Sequence, residues 1–229
     1  MFAENLSRVR GRIAAAAARA KRKPETIDII AVTKTQSAAM IQEAIAAGLR
    51  ALGENRVQEW ESKRAAFERS GVRCHLIGHL QSNKARKAAA IFDRVDSVDS
   101  LALAERLDAA AGELNKRLGV LIEVRLSCED SKSGVDIKDL DALADGIIDS
   151  DRLDLLGLMT IPPFIEDVEL VRPYFRQLRK LRDDLRGAGR PELPVLSMGM
   201  SHDFEVAIEE GATEIRLGTA LFGARAAKA

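Results

Sequence analysis

The sequence predicts an α/β fold, a single (β/α)8 barrel of the TIM type with an extra N-terminal helix. Three observations predict it. Eight short apolar, β-rich runs alternate with Ala/Leu/Glu/Arg-rich stretches of helical spacing, and that alternation implies parallel strands joined by crossover helices. The runs are nearly unbroken, as in Ile27-Asp-Ile-Ile-Ala-Val32, which is how strands covered on both faces read. No GxGxxG follows the first strand; a lysine does. That argues against an open doubly wound sheet, the other fold with this alternation. No linker, low-complexity segment or charge block interrupts the 229 residues, so 1–229 is read as one barrel domain.

The elements follow in order. Leu6, Val9, Ile13, Ala17 and Ala20 fall on one face at helical steps. The basic run Arg19-Ala-Lys21-Arg22-Lys23 suits a helix C-terminus, and Pro24 stops it. A targeting segment is the alternative, but its apolar run, Ile13–Ala18, is short and Arg19 interrupts it. Strands are expected at Ile27–Thr33, Leu49–Leu52, Arg73–Leu80, Arg94–Val98, Gly119–Leu126, Leu153–Ile161, Val195–Met200 and Glu214–Leu217. Between them, helices are expected at Ala38–Ala47, Val57–Arg69, Lys84–Ile91, Leu101–Leu118, Ile137–Ile148, Val168–Arg186 and Asp203–Glu210.

Composition narrows the function. Hydrophobic residues make up 46% and charged residues 31%, a globular balance that excludes a disordered or fibrous chain. Basic and acidic residues are equal at 35 each, so no general attraction to nucleic acid or an anionic membrane is expected. Aromatic residues are only 4%, too few for stacking platforms along a nucleic-acid groove. No run approaches the length of a membrane span. Cys74 and Cys128 form no CxxC pair, so they are read as reduced thiols of a cytoplasmic protein, with no disulfide or zinc framework.

In a barrel, chemistry belongs at the C-terminal strand ends, and phosphate binds near the loops after the seventh and eighth strands. The first strand meets Lys34. Burial there lowers a lysine's pKa and frees its amine to attack carbonyls as a Schiff base; a lysine that snorkels to water is the alternative. The second strand leads into Gly53-Glu54-Asn55, which can point polar groups into the mouth. Asn55 can also cap the next helix, with Gln58 as capping-box partner. His75 and His79 are an HxxxH pair, but on a strand they stand roughly 13 Å apart, too far for one metal. His79 lies nearer the functional end, and Ser82 or Asn83 can cap the helix that follows. The fifth strand opens into a polar loop carrying Lys132 and Gly134, which can approach a ligand or simply be solvated. The sixth ends at Thr160 before Pro162-Pro163, where prolines stop the strand.

Gly199, Ser201 and Asp203 close the seventh strand: a glycine for close approach, a hydroxyl, then a helix start. Gly218 and Thr219 repeat the arrangement after the eighth, which carries Arg216 inside an apolar segment. Ordinary N-capping and a salt-bridged arginine are the plainer readings. A phosphorylated aldehyde satisfies all three features together, the aldehyde on Lys34, the phosphate on the two loops and Arg216 facing the ring. Pyridoxal 5′-phosphate is such a molecule.

The motifs Ala31-Val-Thr-Lys34-Thr, Gly53-Glu-Asn-Arg-Val-Gln-Glu59, His75-Leu-Ile-Gly-His-Leu-Gln-Ser-Asn-Lys84, Ser131-Lys-Ser-Gly134, Gly157-Leu-Met-Thr-Ile-Pro162, Ser197-Met-Gly-Met-Ser201 and Arg216-Leu-Gly-Thr-Ala-Leu-Phe-Gly223 run through the chain in this order. Together they resemble the pyridoxal phosphate homeostasis protein family. The resemblance implies a barrel related to the N-terminal domain of alanine racemase, with the cofactor on Lys34 as an internal aldimine. It further implies that Ser201, Gly218 and Thr219 hold the phosphate, that Arg216 faces the pyridine nitrogen and that Asn55 lies near the ring. Arg56 stands where the family often has Tyr, and Arg125 where it often has Asn.

Two function classes follow from the resemblance: a non-catalytic carrier that buffers or delivers the cofactor, and an amino-acid racemase-like enzyme. Related racemases add a β-rich second domain and a tyrosine base. This sequence ends six residues after Gly223, and its only tyrosine, Tyr174, falls in a helical stretch. An arginine at the pyridine nitrogen does not give up its proton, which weakens the cofactor as an electron sink; racemases share that feature, so it argues against decarboxylases and transaminases. The carrier is therefore expected, as a monomer serving apo pyridoxal-phosphate-dependent enzymes. A Schiff-base aldolase barrel acting on sugar phosphates is the third possibility.

Overall fold

The computed structural model describes residues 1–68, 70–127 and 133–223. Cys128, Ser131 and Lys132 lie outside the described residues. The elements run α1 (Phe2–Arg19), β1 (Asp28–Val32), α2 (Ala38–Ala46), β2 (Ala51–Glu54), α3 (Val57–Lys63), β3 (Arg73–Leu76), α4 (Ala85–Ile91), β4 (Arg94–Val98) and α5 (Leu101–Glu113). They continue as β5 (Leu118–Glu123), α6 (Leu140–Ile148), β6 (Leu153–Met159), α7 (Arg172–Gly187), β7 (Val195–Met200), α8 (Phe204–Glu209), β8 (Glu214–Leu217) and α9 (Thr219–Phe222). The eight strands are parallel and close into a barrel in chain order, with β8 paired back onto β1. This is the expected (β/α)8 architecture with its N-terminal helix.

Several boundaries differ from expectation. The third strand ends at Leu76, not Leu80. Gly78 instead brings the chain against Asn55, where a Cβ would stand 2.5 Å from the Asn55 carbonyl oxygen. The fifth helix stops at Glu113, five residues early, because Asn115 takes a left-handed φ of 48°. The expected helix from Val57 stops being α-helical at Lys63 and continues as a 3₁₀ turn to Ala66. The segments beginning at Ile137 and Val168 likewise open as 3₁₀ turns.

Alternation sorts the strand residues. Ala31, Leu52, Cys74, Leu76, Val95, Val120, Ile122, Leu196 and Ile215 face the helices and form one continuous buried shell with them. Ile30, Gly53 and Ile77 meet on the opposite face, where a Cβ on Gly53 would stand 2.9 Å from both isoleucine side chains. Nearer the strand starts the interior is charged. Arg94 on β4 bonds Asp96 at 2.7 Å and reaches Glu214 on β8 at 2.9 Å. Those strands are opposite staves, so the pair crosses the interior. The helix α1 braces the closing edge. Its Phe2 ring lies 5.2 Å from that of Phe222, and Arg12 bonds Glu205 at 2.7 Å while stacking 4.4 Å over Phe204.

Gly157 makes β6–β7 pairing possible: its φ is 157° and a Cβ would stand 1.9 Å from the Val195 carbonyl oxygen. Gly157→Ala is expected to destabilise the fold by about 3 kcal/mol, seen as a melting temperature lowered by about 6–12 °C. Gly11, exposed in α1 with nothing within 4 Å of a built Cβ, is the contrast. Gly11→Ala is expected to raise stability by about 0.5–1 kcal/mol in the same thermal melts.

Candidate cofactor site

Lys34 follows β1 by two residues, half-buried in a turn at the C-terminal end of the barrel. The Thr33 N–H continues the ladder onto the Gly53 carbonyl at 3.0 Å, and strand parity sends its side chain to the helix side. There a buried clamp holds the turn from behind. Thr33 donates its hydroxyl to Glu54 Oε1 at 2.6 Å. Lys63 Nζ on α3 donates to the Thr33 carbonyl at 2.9 Å, to Glu54 Oε1 at 2.8 Å and to Glu59 Oε1 at 2.9 Å. The Thr35 N–H donates to the same Glu59 oxygen. Glu54, which at a strand end can point into the mouth, turns the other way, onto Lys63, because its neighbour Gly53 takes the interior side. Burial pushes the Glu54 carboxyl up, and bonds from Lys63 and Thr33 pull it back. Its second oxygen, Oε2, is buried without a hydrogen-bond partner among the described residues.

The expected phosphate residues meet one strand away. Ser201 Oγ, after β7, accepts the N–H of Gly218 at 3.2 Å and of Ala220 at 3.1 Å. Its own hydroxyl proton remains available to donate. A Cβ on Gly218 would be 3.7 Å from Val32, so this cluster abuts the strand that carries Lys34. Thr219 is exposed beside it. Gly199 has a φ of 93°, and a Cβ there would stand 2.6 Å from Ala207; glycine lets β7 turn tightly into α8. Asp203 does not cap α8 through its side chain; it accepts the Met200 N–H at 2.6 Å and stiffens the Ser201 turn instead.

Arg216 is 3% exposed and points inside the barrel. It donates to Ser197 Oγ and to the Thr160 carbonyl, each at 2.8 Å. Among the described residues no carboxylate bonds it directly, so the salt-bridged reading does not hold there. Burial lowers its pKa, and the charges of Asp96, Asp203, Glu123 and Glu214 oppose that. Glu123, at the end of β5, is 4% exposed. Burial and Asp99 push its carboxyl up to about 7, with Arg216 pulling it down.

Asn55 lies at the end of β2, which pairs with β1 at Val32–Gly53. It lines a groove of about 590 Å³ with Arg56, Gly78 and His79. The capping-box reading fails: Arg56 is the N-cap of α3 and makes no side-chain cap bond. Neither Ser82 nor Asn83 caps α4, whose N-cap is Lys84. His75 is buried and His79 is exposed beside Asp99, with Nδ1 at 3.4 Å. Arg125 bonds Asp136 at 2.6 Å. Gly134, with a φ of 118°, packs against the Arg125 backbone. No helix among the described residues is long and apolar enough to cross a membrane.

A closed barrel with a lysine after β1, a hydroxyl and amide cluster after β7 and β8, and a buried arginine in β8 defines a class: barrels of the alanine racemase N-terminal type. The sequence model described as "Alanine racemase, N-terminal domain" matches residues 5–226. The pyridoxal phosphate homeostasis protein of Aquifex aeolicus is 45% identical over 222 residues, covering 97% of each chain. The protein of that name from Escherichia coli K12 is 45% identical over 230 residues, covering 98% of this chain and 97% of its own. The structure of PipY from Synechococcus elongatus with PLP bound superposes with a TM-score of 0.86 at 41% identity, covering 97% of this chain and all of PipY. The chain belongs to the pyridoxal phosphate homeostasis protein family.

The clamp and the raised carboxyl each yield an expected outcome. Lys63→Met removes three bonds and strands a buried carboxylate, so a loss of about 3–5 kcal/mol is expected in denaturant melts. Glu123 has a folded-state pKa above its unfolded one. Its contribution to stability is therefore present below about pH 4.5 and lost as pH rises towards 7. Glu123→Gln is expected to be more stable than the parent at pH 8 by up to about 3 kcal/mol, the gain vanishing near pH 4.5. Urea unfolding at both pH values measures this.

Proposed function

We propose that the protein is a non-catalytic holder of pyridoxal 5′-phosphate that buffers or delivers the cofactor, carrying it as a Schiff base on Lys34. The observation that carries the reading is the closure of β8 onto β1, which sets the Lys34 turn beside the Ser201–Gly218–Ala220 cluster. Its amides and hydroxyls suit a phosphate dianion, which gains charge-assisted hydrogen bonds from such donors. In this reading Ser201, Gly218 and Thr219 hold the phosphate. Asn55 approaches the ring from the end of β2, and Arg216 faces the pyridine nitrogen. The bound group supplies an aldehyde that combines reversibly with an amine.

Three further observations support holding over turnover. The full-length relatives carry a homeostasis name, and PipY binds PLP. An arginine facing the pyridine nitrogen would keep that nitrogen unprotonated and the ring a poor electron sink, which argues against decarboxylase and transaminase chemistry. Tyr174, the sequence's only tyrosine, packs on α7 against the core and not at a strand end. We read residues 1–229 as one cofactor-binding domain, a cytoplasmic monomer whose partners are apo enzymes that use the cofactor.

Incubation with pyridoxal 5′-phosphate is expected to give a yellow protein whose absorption bleaches with borohydride and leaves label on Lys34. Lys34→Ala should lose the band yet retain weaker binding in equilibrium dialysis. The paired change Ser201→Ala and Thr219→Ala should weaken retention by about a hundredfold, at roughly 1.5–3 kcal/mol for each bond to a charged group. A colourless, unlabelled parent, or a double variant that holds the cofactor as tightly as the parent, would refute the site.

A further inference from the structure

The other end of the barrel carries a second cleft that the cofactor reading does not use. The starts of β1, β2, β3 and β8 frame it together with α1, and it measures about 510 Å³. That lies within the range of small-molecule pockets. Arg10, Arg50 and Arg73 line it. None of the three forms an ion pair among the described residues; Arg50 donates only to the backbone carbonyls of Ile45 and Leu49, each at 3.1 Å. The carboxylates on the same lining are Glu25, Asp28 and Glu214. Glu214 is already bonded to Arg94, so guanidinium groups outnumber the remaining acids.

The cleft also has an unsatisfied polar floor. His75 lines it and is only 3% exposed, and its Nδ1 has no hydrogen-bond partner among the described residues, with Asp96 Oδ2 3.9 Å away. Burial and the nearby Arg94 keep this imidazole neutral, its pKa lowered to about 3, so it offers a ring N–H or a lone pair without charge. A metal ion is a poor occupant. His75, Asp96 and Glu214 bring ligand atoms within 4.8 Å of one another, but Arg94 holds both carboxylates. The walls between the charges are apolar, with Ile13, Ile27 and Leu49 among them.

We propose that this cleft binds a small organic oxyanion, a carboxylate or phosphate carried on an apolar body, at a site separate from the cofactor mouth. Arg10 and Arg73 receive the oxyanion, since a guanidinium matches carboxylate and phosphate oxygens in pairs. The apolar body lies on Ile13 and Leu49, and His75 meets a polar atom at the buried end. The proposal stands on the cleft alone and does not require that Lys34 hold pyridoxal 5′-phosphate.

The test titrates the full-length protein with benzoate and with phenyl phosphate, following the imidazole signals of its three histidines by NMR. Benzyl alcohol and inorganic phosphate serve as the body without the charge and the charge without the body. At least one aryl oxyanion is expected to shift the His75 signals saturably with a dissociation constant tighter than about 1 mM, leaving exposed His79 unmoved. The arm that binds more tightly tells carboxylate from phosphate. Replacing Arg10→Gln and Arg73→Gln together should weaken binding by at least about tenfold, while the melting temperature holds. No saturable His75 shift with either aryl anion would overturn the proposal. So would unchanged binding by the double variant, or inorganic phosphate or benzyl alcohol binding as tightly as the aryl anions.

Discussion

The pairing of the last strand with the first is the constraint on which the rest depends. Asp28 to Ala31 lie in register with Glu214 to Leu217. That ladder makes neighbours of residues far apart in sequence, the Lys34 turn and the Gly218 loop. Unpaired, β1 and β8 would be two exposed edges and the lysine would face solvent across a gap. The closure is also braced from outside. Arg22, just past α1, donates to the carbonyls of Ile208 and Ala212 at 2.9 and 2.8 Å, and Asn5 donates to the Leu221 carbonyl at 3.0 Å. The extra N-terminal helix therefore acts on the site indirectly, by clasping the elements on either side of the seam.

Inside the barrel, charge is arranged in two levels. At the lower level, Arg94 with Asp96 and Glu214 forms a fully bonded group. Such buried pairs add little net stability over apolar packing of the same volume, yet removing one partner is expensive. They hold the arrangement in place more than they strengthen it. At the upper level Arg216 has only neutral acceptors among the described residues, Ser197 and the Thr160 carbonyl. Its charge is balanced at longer range by acids that include Glu123, itself close to half-protonated near neutral pH. The lower level is closed by direct ion pairs, whereas Arg216 at the upper level has none among the described residues.

What could be read from the sequence was what local pattern encodes. The strands at Arg94–Val98, Val195–Met200 and Glu214–Leu217 match their expected bounds, because turn residues mark both ends. The third strand was overextended because Ile77-Gly-His-Leu80 continues an apolar run, and only the approach of Asn55 ends it. Lys34, Ser201 and Gly218 were legible as strand-end residues. Lys63 was not: it reads as one more solvated helix lysine, and its task appears only when α3 folds back over the first turn. The direction of Glu54 is not legible, since it depends on the register of β2 against β1 and not on its neighbours in sequence.

The turn that carries Lys34 shows how these levels combine. Thr35, a β-branched residue, holds a φ of 64°, a conformation that persists only where surroundings impose it. The surroundings here are explicit. The Gln36 N–H returns to the Thr33 carbonyl at 3.0 Å, the Thr35 N–H is taken by Glu59, and Lys63 fastens the Thr33 carbonyl, Glu54 and Glu59 together. The Lys63 bonds to Glu54 and Glu59 tie the turn to β2 and α3. Ordering a flexible backbone when a ligand arrives would subtract from affinity; here the ordering is already done by folding. A turn fastened this way holds the backbone of Lys34 in place through bonds that do not involve its amine, which is the property the proposed holder of a cofactor needs if it is to take up and give back the same molecule without rebuilding its site.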